Sequence, residues 1–371
     1  MDKQWTARWI TDREFAALPP IDLYHKELNN RDRSYRHREE LQNRHMLARK
    51  EFTLDGSISL VGACLDITGD DYYKVYVNGC FVGQGPAQGN AFHYYYNRFE
   101  IASFLNCGLN AIAVHVYYHG LISHAYNSGD YRQGFIAELT IGGQAAVITD
   151  GSWKYRITEE YGNGSVIAYD TQFAEHVDNR LKAHGWREIG FDDSDWSAAA
   201  VLKNDDHQLF LQPTPPLAVY DIPPSHVTEL AGNLYRIDFG HEITGQFRLR
   251  ARGEEGQVVE IRCGEELLDN GRVRYEMRCN CLYQDFWTLS GRADDELELF
   301  DYKAFRYVEV IAEKGVSLDM GSFSAVVRHY PMDDGGGLVR IVRPYVERHL
   351  VHMPKRHQIR LPGNICGLSF P

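Results

Sequence analysis

Between Tyr235 and Val310 the chain alternates apolar and polar residues, and Gly or Asn-Gly cuts the alternation at short intervals. The run YRIDFGHEITGQFRLRARGEEGQVVEIRCGEELLDNGRVRYEMRCNC, and later FDYKAFRYVEV, leaves little choice of backbone. A period of two sends successive side chains to opposite faces of a strand, so such a run builds a sheet with one face buried. Gly245, Gly253, Gly256, Gly264, Gly271 and Gly291 punctuate it at turn-like intervals. Helical periodicity is scarce throughout, and there is no internal repeat or low-complexity tract. The expectation is an all-β chain.

The first half follows the same rule with weaker signals. Residues 12–46 are charge-rich and poorly periodic, with a helix or irregular arm expected around Arg36 to Ala48. From Glu51 the period becomes two, and strands are expected at Ser57–Ile67, Tyr72–Val77, Arg98–Leu105 and Asn110–Tyr118, with two more in Gly129–Ile148. Asn78-Gly79 lies between YKVYV and CFVG. That is a strong hairpin signal, because a type I′ turn needs positive φ at both central residues. Tyr73, Val75 and Val77 alternate with Tyr72, Lys74 and Tyr76, which makes one face more apolar. In GFDDSDW, Asp193 or Ser194 is read as a turn cap and Trp196 as buried. Pro213, Pro215 and Pro216 stiffen a linker to the second sandwich.

At 371 residues the chain is long enough for two or three domains with real cores. The net charge of −12 argues against nucleic-acid or anionic-membrane partners. Residues 335–371 carry six Lys/Arg and one Glu, a balance of +5, so the rest carries −17. The start, MDKQWTARWITDREF, shows no apolar signal region. Seven cysteines without framework spacing fit a reducing cytoplasm.

Several constellations carry side chains capable of chemistry. The carboxylate doublets Glu254-Glu255, Glu265-Glu266 and Asp294-Asp295 are strand or turn neighbours that point apart, so they read as solvated turns. Of His115, His119 and His124 in HVYYHGLISH, the first two have the i, i+4 spacing of a helical metal site, but on a strand they lie about 13 Å apart, which suits core or strand-end histidines. Cys279-x-Cys281 with Cys263 has no evident fourth zinc ligand, so buried thiols are expected. His93, Tyr94, Tyr95 and Tyr96 form an aromatic run whose exposed member is a candidate sugar-stacking platform. Trp153, elsewhere in the chain, is another ring with that potential. Asp66, Asp70, Asp71 and Asn78 could offer oxygens to Ca²⁺, although solvated turn carboxylates are the default reading and no cofactor is required.

Taken together, Asp238-Phe239-Gly240, Gly245-Gln246, Glu265-Glu266-Leu267, Asp269 to Gly271 and Phe305 to Val310 resemble the middle β-sandwich of bacterial α-L-rhamnosidases of the glycoside hydrolase family 78 type. The hairpin at Asn78-Gly79 and FEIASFLNCGLNAIAVHVYY resemble the jelly-roll sugar-binding domain that opens many glycosidases. The resemblance runs from about Trp5 to Pro331. It implies two jelly-roll/β-sandwich domains in tandem: an arm over 1–50, a galactose-binding-like jelly roll over 51–212, a concanavalin-like sandwich over 213–331, and an irregular basic tail over 332–371. It also implies that Asn78, Gly79, Asp238, Gly240, Gly245, Glu265 and Arg306 are structural, with Arg306 paired to an acidic neighbour. Phe305 and Tyr307 are expected on one strand face and Arg306 on the other. In the family the catalytic carboxylates lie in an (α/α)₆ barrel that follows, and no residue here matches its motifs. The function implied is a non-catalytic amino-terminal half that supports or binds rhamnose-containing glycans. Alternatives are a stand-alone carbohydrate-binding module and, less favoured, a small active glycosidase. The partner implied is a rhamnose-containing oligosaccharide or glycoside, and a homo-oligomer is left open. A shifted reading of codons 353–364 allows a Cys-Pro element followed by Tyr-Leu-Gly, so the tail is read as a frameshifted remnant of the barrel.

Overall fold

The computed structural model describes residues 3–20, 38–89, 93–121, 130–168, 171–202 and 207–331. The basic tail read as frameshifted, and His124, lie outside the described residues. Residues 1–329 cluster as one compact unit. Among the described residues the architecture is all-β, with only short 3₁₀ turns between strands.

The first module is a sandwich. One sheet orders Ala200–Val201, Ile10–Thr11, Gly134–Ile141, Cys64–Asp70, Tyr94–Glu100 and Leu209–Leu211, with Gln144–Ile148 paired to Gly134–Ile141. The facing sheet orders Ser197–Ala198, Lys154–Thr158, Arg44–Leu54, Gly108–Tyr118, Tyr72–Val77 and Cys80–Gly85. Ile67, Phe135 and Leu139 from the first sheet meet Met46, Val75, Val114 and Trp153 from the second in one apolar core. Asn78 and Gly79 adopt φ of 51° and 81°, as the hairpin signal requires.

Three sequence expectations change here. The segment around Arg36 to Ala48 contains no α-helix among its described residues. A 3₁₀ turn at Glu39–Leu41 leads into the strand Arg44–Leu54. The strand expected from Ser57 begins only at Cys64, because Asp55 caps a turn through the Ser57 N–H at 2.8 Å. In GFDDSDW the turn cap is Asp192, which accepts from Ser194 N at 3.1 Å. Asp193 instead receives the Arg49 guanidinium, and Trp196 is buried.

The second module is a ten-stranded sheet. Its long strand Leu234–Arg252 pairs first with Lys303–Ala312 and then with Ser317–His329, with a register break between Asp238 and Ile243. Ile237 before the break shares one core with Phe247 and Leu249 after it, so both parts of the strand cover the same interior. Gly245 is no turn residue. It lies inside the strand, where a Cβ would collide with the Val326 carbonyl oxygen. Gly240 does turn: its φ is +80°, and its N–H donates to Asp238 Oδ1 at 2.7 Å.

Two segments cross the sequence-based module limits. Ile10–Thr11, within the expected arm, is a strand of the first sandwich. The hairpin Tyr161–Ile167/Gln172–Asp178 follows a strand of the first module, yet it extends the second module's sheet. Gln172–Asp178 pairs in parallel with Gln284–Thr288, placing Val177 beside Trp287.

Candidate functional site

The candidate sugar platform at His93–Tyr96 splits by parity, as a strand must. Tyr94 and Tyr96 are buried, Tyr94 near His207 and Tyr96 edge-on to Trp5 at 5.3 Å. His93 and Tyr95 are half-exposed, with His93 stacked on Phe210 at 3.9 Å. Two rings, His93 and Tyr95, are therefore half-exposed, where one exposed member was expected. Trp153 is fully buried in the first core.

The four proposed calcium donors do not converge. Asp66 receives Arg98 through two bonds of 2.7 and 2.9 Å and also pairs with Lys3. Asp70 lies four residues further along the same strand, about 13 Å away by strand rise. Asn78 donates to Phe104 O and Asn110 Oδ1 at the hairpin. Among the described residues no group of three His, Cys, Asp or Glu gathers to hold a metal ion. Of Cys263, Cys279 and Cys281, only Cys263 is buried; Cys279 is exposed in the turn between Glu276–Met277 and Cys281–Leu282.

The sandwich motif forms a corner. Arg306 donates two parallel bonds to Asp238, at 2.8 and 3.0 Å. Its guanidinium also lies 4.7 Å from the Tyr307 ring centre. Phe305 and Val308 both enter the core, so the alternation slips by one residue beside the register break and Tyr307 joins Arg306 outside. Glu265 is exposed, while its neighbour Glu266 pairs with Arg274. Glu309, fully buried, takes Arg272 at 2.8 and 2.9 Å and the Val273 N–H at 2.8 Å, which ties down the loop before it. Asp294 and Asp295 point apart: Asp294 is exposed against Arg292, and Asp295 is buried on Ser290 and Asn179.

The most concentrated ionisable chemistry lies where the modules meet. Residues 298–301 of the second module reach onto the first module's six-stranded sheet. His119 is buried with Nε2 3.1 Å from Asp301 and Nδ1 3.6 Å from Asp71. Burial alone would lower its pKa, but the two carboxylates raise it to about 9. Glu175 accepts the backbone N–H groups of Phe300 at 2.6 Å and Asp301 at 3.1 Å, and burial pushes its carboxyl up to about 8. Lys74 donates to Leu299 O at 3.0 Å, and burial pulls its ammonium down to about 8. His45 Nδ1 and His115 Nε2 are 2.9 Å apart, and burial keeps both well below the usual imidazole range. Two neutral rings can then share one proton bond, with one donating and one accepting. His45 is stacked between Tyr117 at 4.1 Å and Tyr161 at 4.4 Å. Tyr117, from the first module, packs into the second module's core.

Comparison with known proteins supplies the frame for this arrangement. Residues 59–221 match the α-L-rhamnosidase N-terminal domain, and residues 228–329 match the bacterial α-L-rhamnosidase concanavalin-like domain. The chain belongs to the α-L-rhamnosidase family. It is similar to an α-L-rhamnosidase of Streptomyces avermitilis, 28% identical over 261 residues, or 66% of this chain and 24% of that one. The structure of α-L-rhamnosidase from Aspergillus terreus superposes with a TM-score of 0.66 at 26% identity, covering 88% of this chain and 36% of that one. A Streptomyces avermitilis α-L-rhamnosidase solved with L-rhamnose aligns at 25% identity and a TM-score of 0.60, covering 78% and 29%. The chain thus spans about a quarter of the length of the curated relative.

In these rhamnosidase modules the residues that sequence reasoning missed are those of the seam. Glu298, Phe300 and Asp301 sit in a stretch whose alternation reads as an ordinary strand. In the sequence His119 reads as a core or strand-end histidine in preference to a metal ligand, and nothing marks it as half of a buried ion pair. Its partner Asp301 is 182 residues away, a separation that no local pattern reveals.

Proposed function

We propose that the two modules are the non-catalytic amino-terminal half of an α-L-rhamnosidase-like protein: a rigid brace that also contacts rhamnose-containing oligosaccharides or glycosides. The observation that carries this reading is the fused seam. A brace must transmit position without hinging, and here one core and one buried ionic network join both sandwiches. Glycoside hydrolysis needs an acid and a second carboxylate flanking the scissile bond. The seam carboxylates are already engaged: Glu175 by backbone N–H groups, Asp301 by His119 and Glu298 by Arg187; Asp285, buried in the second module's sheet, is engaged by Lys303. The L-rhamnose bound by the Streptomyces relative supports rhamnose-containing glycans as the ligand class. The free thiols among the described cysteines suit a reducing cytoplasm.

The test is an assay of the purified chain on an aryl α-L-rhamnoside at high protein concentration. The expected result is no turnover above the blank. Turnover that co-purifies with the chain and disappears on replacing one of its carboxylates would overturn the reading.

A further inference from the structure

A groove runs along the outside of the seam, between the edge strand Cys80–Gly85 of the first module and the edge strand Ala218–Ile222 of the second. Its cavity volume is about 380 Å³, within the usual size range of small-molecule sites. Each rim carries an exposed aromatic ring: Phe81 at 38% exposure on one module and Tyr220 at 48% on the other. Beneath Phe81, the Tyr76 ring is edge-on at 5.7 Å, and the Arg187 guanidinium lies 4.1 Å over it.

The lining charges balance. Lys74, Arg187 and Arg248 supply three cations, and Asp221, Glu296 and Glu298 three carboxylates. Most are already paired: Arg187 to Glu298 at 2.7 Å, and Arg248 to Asp221 at 3.0 Å and to Glu296 at 3.4 Å. A charged ligand would have to break one of these pairs. A neutral hydroxyl need not, because it donates to the carboxylate and accepts from the guanidinium of an intact pair. The aromatic rims offer apolar faces for the C–H side of a sugar ring.

We infer that this inter-module groove binds an uncharged oligosaccharide, with Phe81 and Tyr220 as stacking platforms and the Arg187–Glu298 and Arg248–Asp221 pairs as hydroxyl partners. The inference rests on the glycan-binding part of the proposed function and moves it from the His93–Tyr96 strand to the seam.

Calorimetric titration of the full chain with methyl α-L-rhamnoside, a neutral rhamnosyl-glucose disaccharide and D-glucuronate tests it. Both neutral sugars should bind saturably, the disaccharide more tightly, and glucuronate about tenfold more weakly than the disaccharide. Phe81→Ala and Tyr220→Ala should each weaken the disaccharide about tenfold with melting temperature unchanged, since both rings are exposed. Tyr95→Ala should leave binding unaltered. Binding that survives both groove variants but fails in Tyr95→Ala overturns the groove while keeping the glycan-binding reading. Glucuronate as the best ligand overturns the neutral-ligand assignment. No saturable binding of any of the three sugars overturns both the groove and the glycan-binding reading, and the turnover assay then decides the rest.

Discussion

The core of the first sandwich and the seam between the modules are equally buried and built on opposite chemistry. In the first, Ile67, Val75, Val114, Phe135 and Leu139 meet with no charge among them. In the second, the side chains of His119, Asp71, Asp301, Glu175 and Lys74 are taken out of water and must compensate one another. An apolar core gains free energy with area removed from water and is indifferent to pH. A buried ionic seam gains little net free energy, yet it tolerates no missing partner, and it titrates.

The largest difference should appear on truncation in the apolar core. Phe135→Ala is expected to cost about 3–5 kcal/mol, by transfer and cavity terms together, read from the denaturant midpoint and equal at pH 6 and pH 8. A cost under 1 kcal/mol would mean that the first core relaxes far more than its packing implies.

The seam should respond next, and with pH. Asp301→Asn removes the closer carboxylate from charged His119 and is expected to cost about 3 kcal/mol near neutral pH. His119 has a folded pKa of about 9, above its ordinary 6.5, so its contribution is complete below pH 6.5 and lost as pH rises toward 9. Glu175, raised from 4.5 to about 8, acts in the same direction between those values. Lys74, lowered from 10.5 to about 8, acts in the opposite direction, relieving the folded state between pH 8 and 10.5. The contribution of these three groups should therefore fall from about pH 5 to 8, hold level to about 9 and recover toward 10.5. In His119→Gln the fall between pH 6.5 and 9 should shrink by up to about 3 kcal/mol. An unaltered profile in that variant would show that His119 does not carry the dependence.

The smallest effect belongs to the half-exposed corner. Asp238→Asn keeps the cap on Gly240 and weakens only the pair with Arg306, for an expected loss of about 1 kcal/mol or less that diminishes in high salt. A loss as large as that at the seam would erase the distinction between them.

Legibility in the sequence follows the same division. A strand with one partly wet face shows itself, as Lys303–Ala312 does, and a tight turn shows itself whatever covers its strands, as Asn78-Gly79 does. Arg44–Leu54 does not, because its sheet is covered on both sides. Met46 and Ala48 enter the apolar core, while Leu47 packs under Trp186 and Trp196 and His45 enters the seam. Arg49 is also buried, bonded to Asp193, Glu51 and the carbonyl oxygens of Trp186 and Glu188. Its partners lie up to 144 residues away, so the segment reads locally as charge-rich and irregular. The Asp238–Arg306 corner was legible as an acid–arginine pair, but the slipped alternation at Tyr307 was not, because the bulge that causes it lies on the neighbouring strand. At His93–Tyr96 the run of rings and its division between a buried and an exposed face were legible, and which rings take which face was not.

The hairpin Tyr161–Asp178 has a consequence for biosynthesis. Its sheet partner Gln284–Thr288 is encoded about 110 residues downstream. At ~5–20 residues per second the ribosome needs roughly 5–20 s to deliver it. Through that interval Val177 and Ile167 belong to a sheet that does not yet exist. The hairpin emerges before the strand it pairs with, which makes the order of synthesis part of how the two modules are joined.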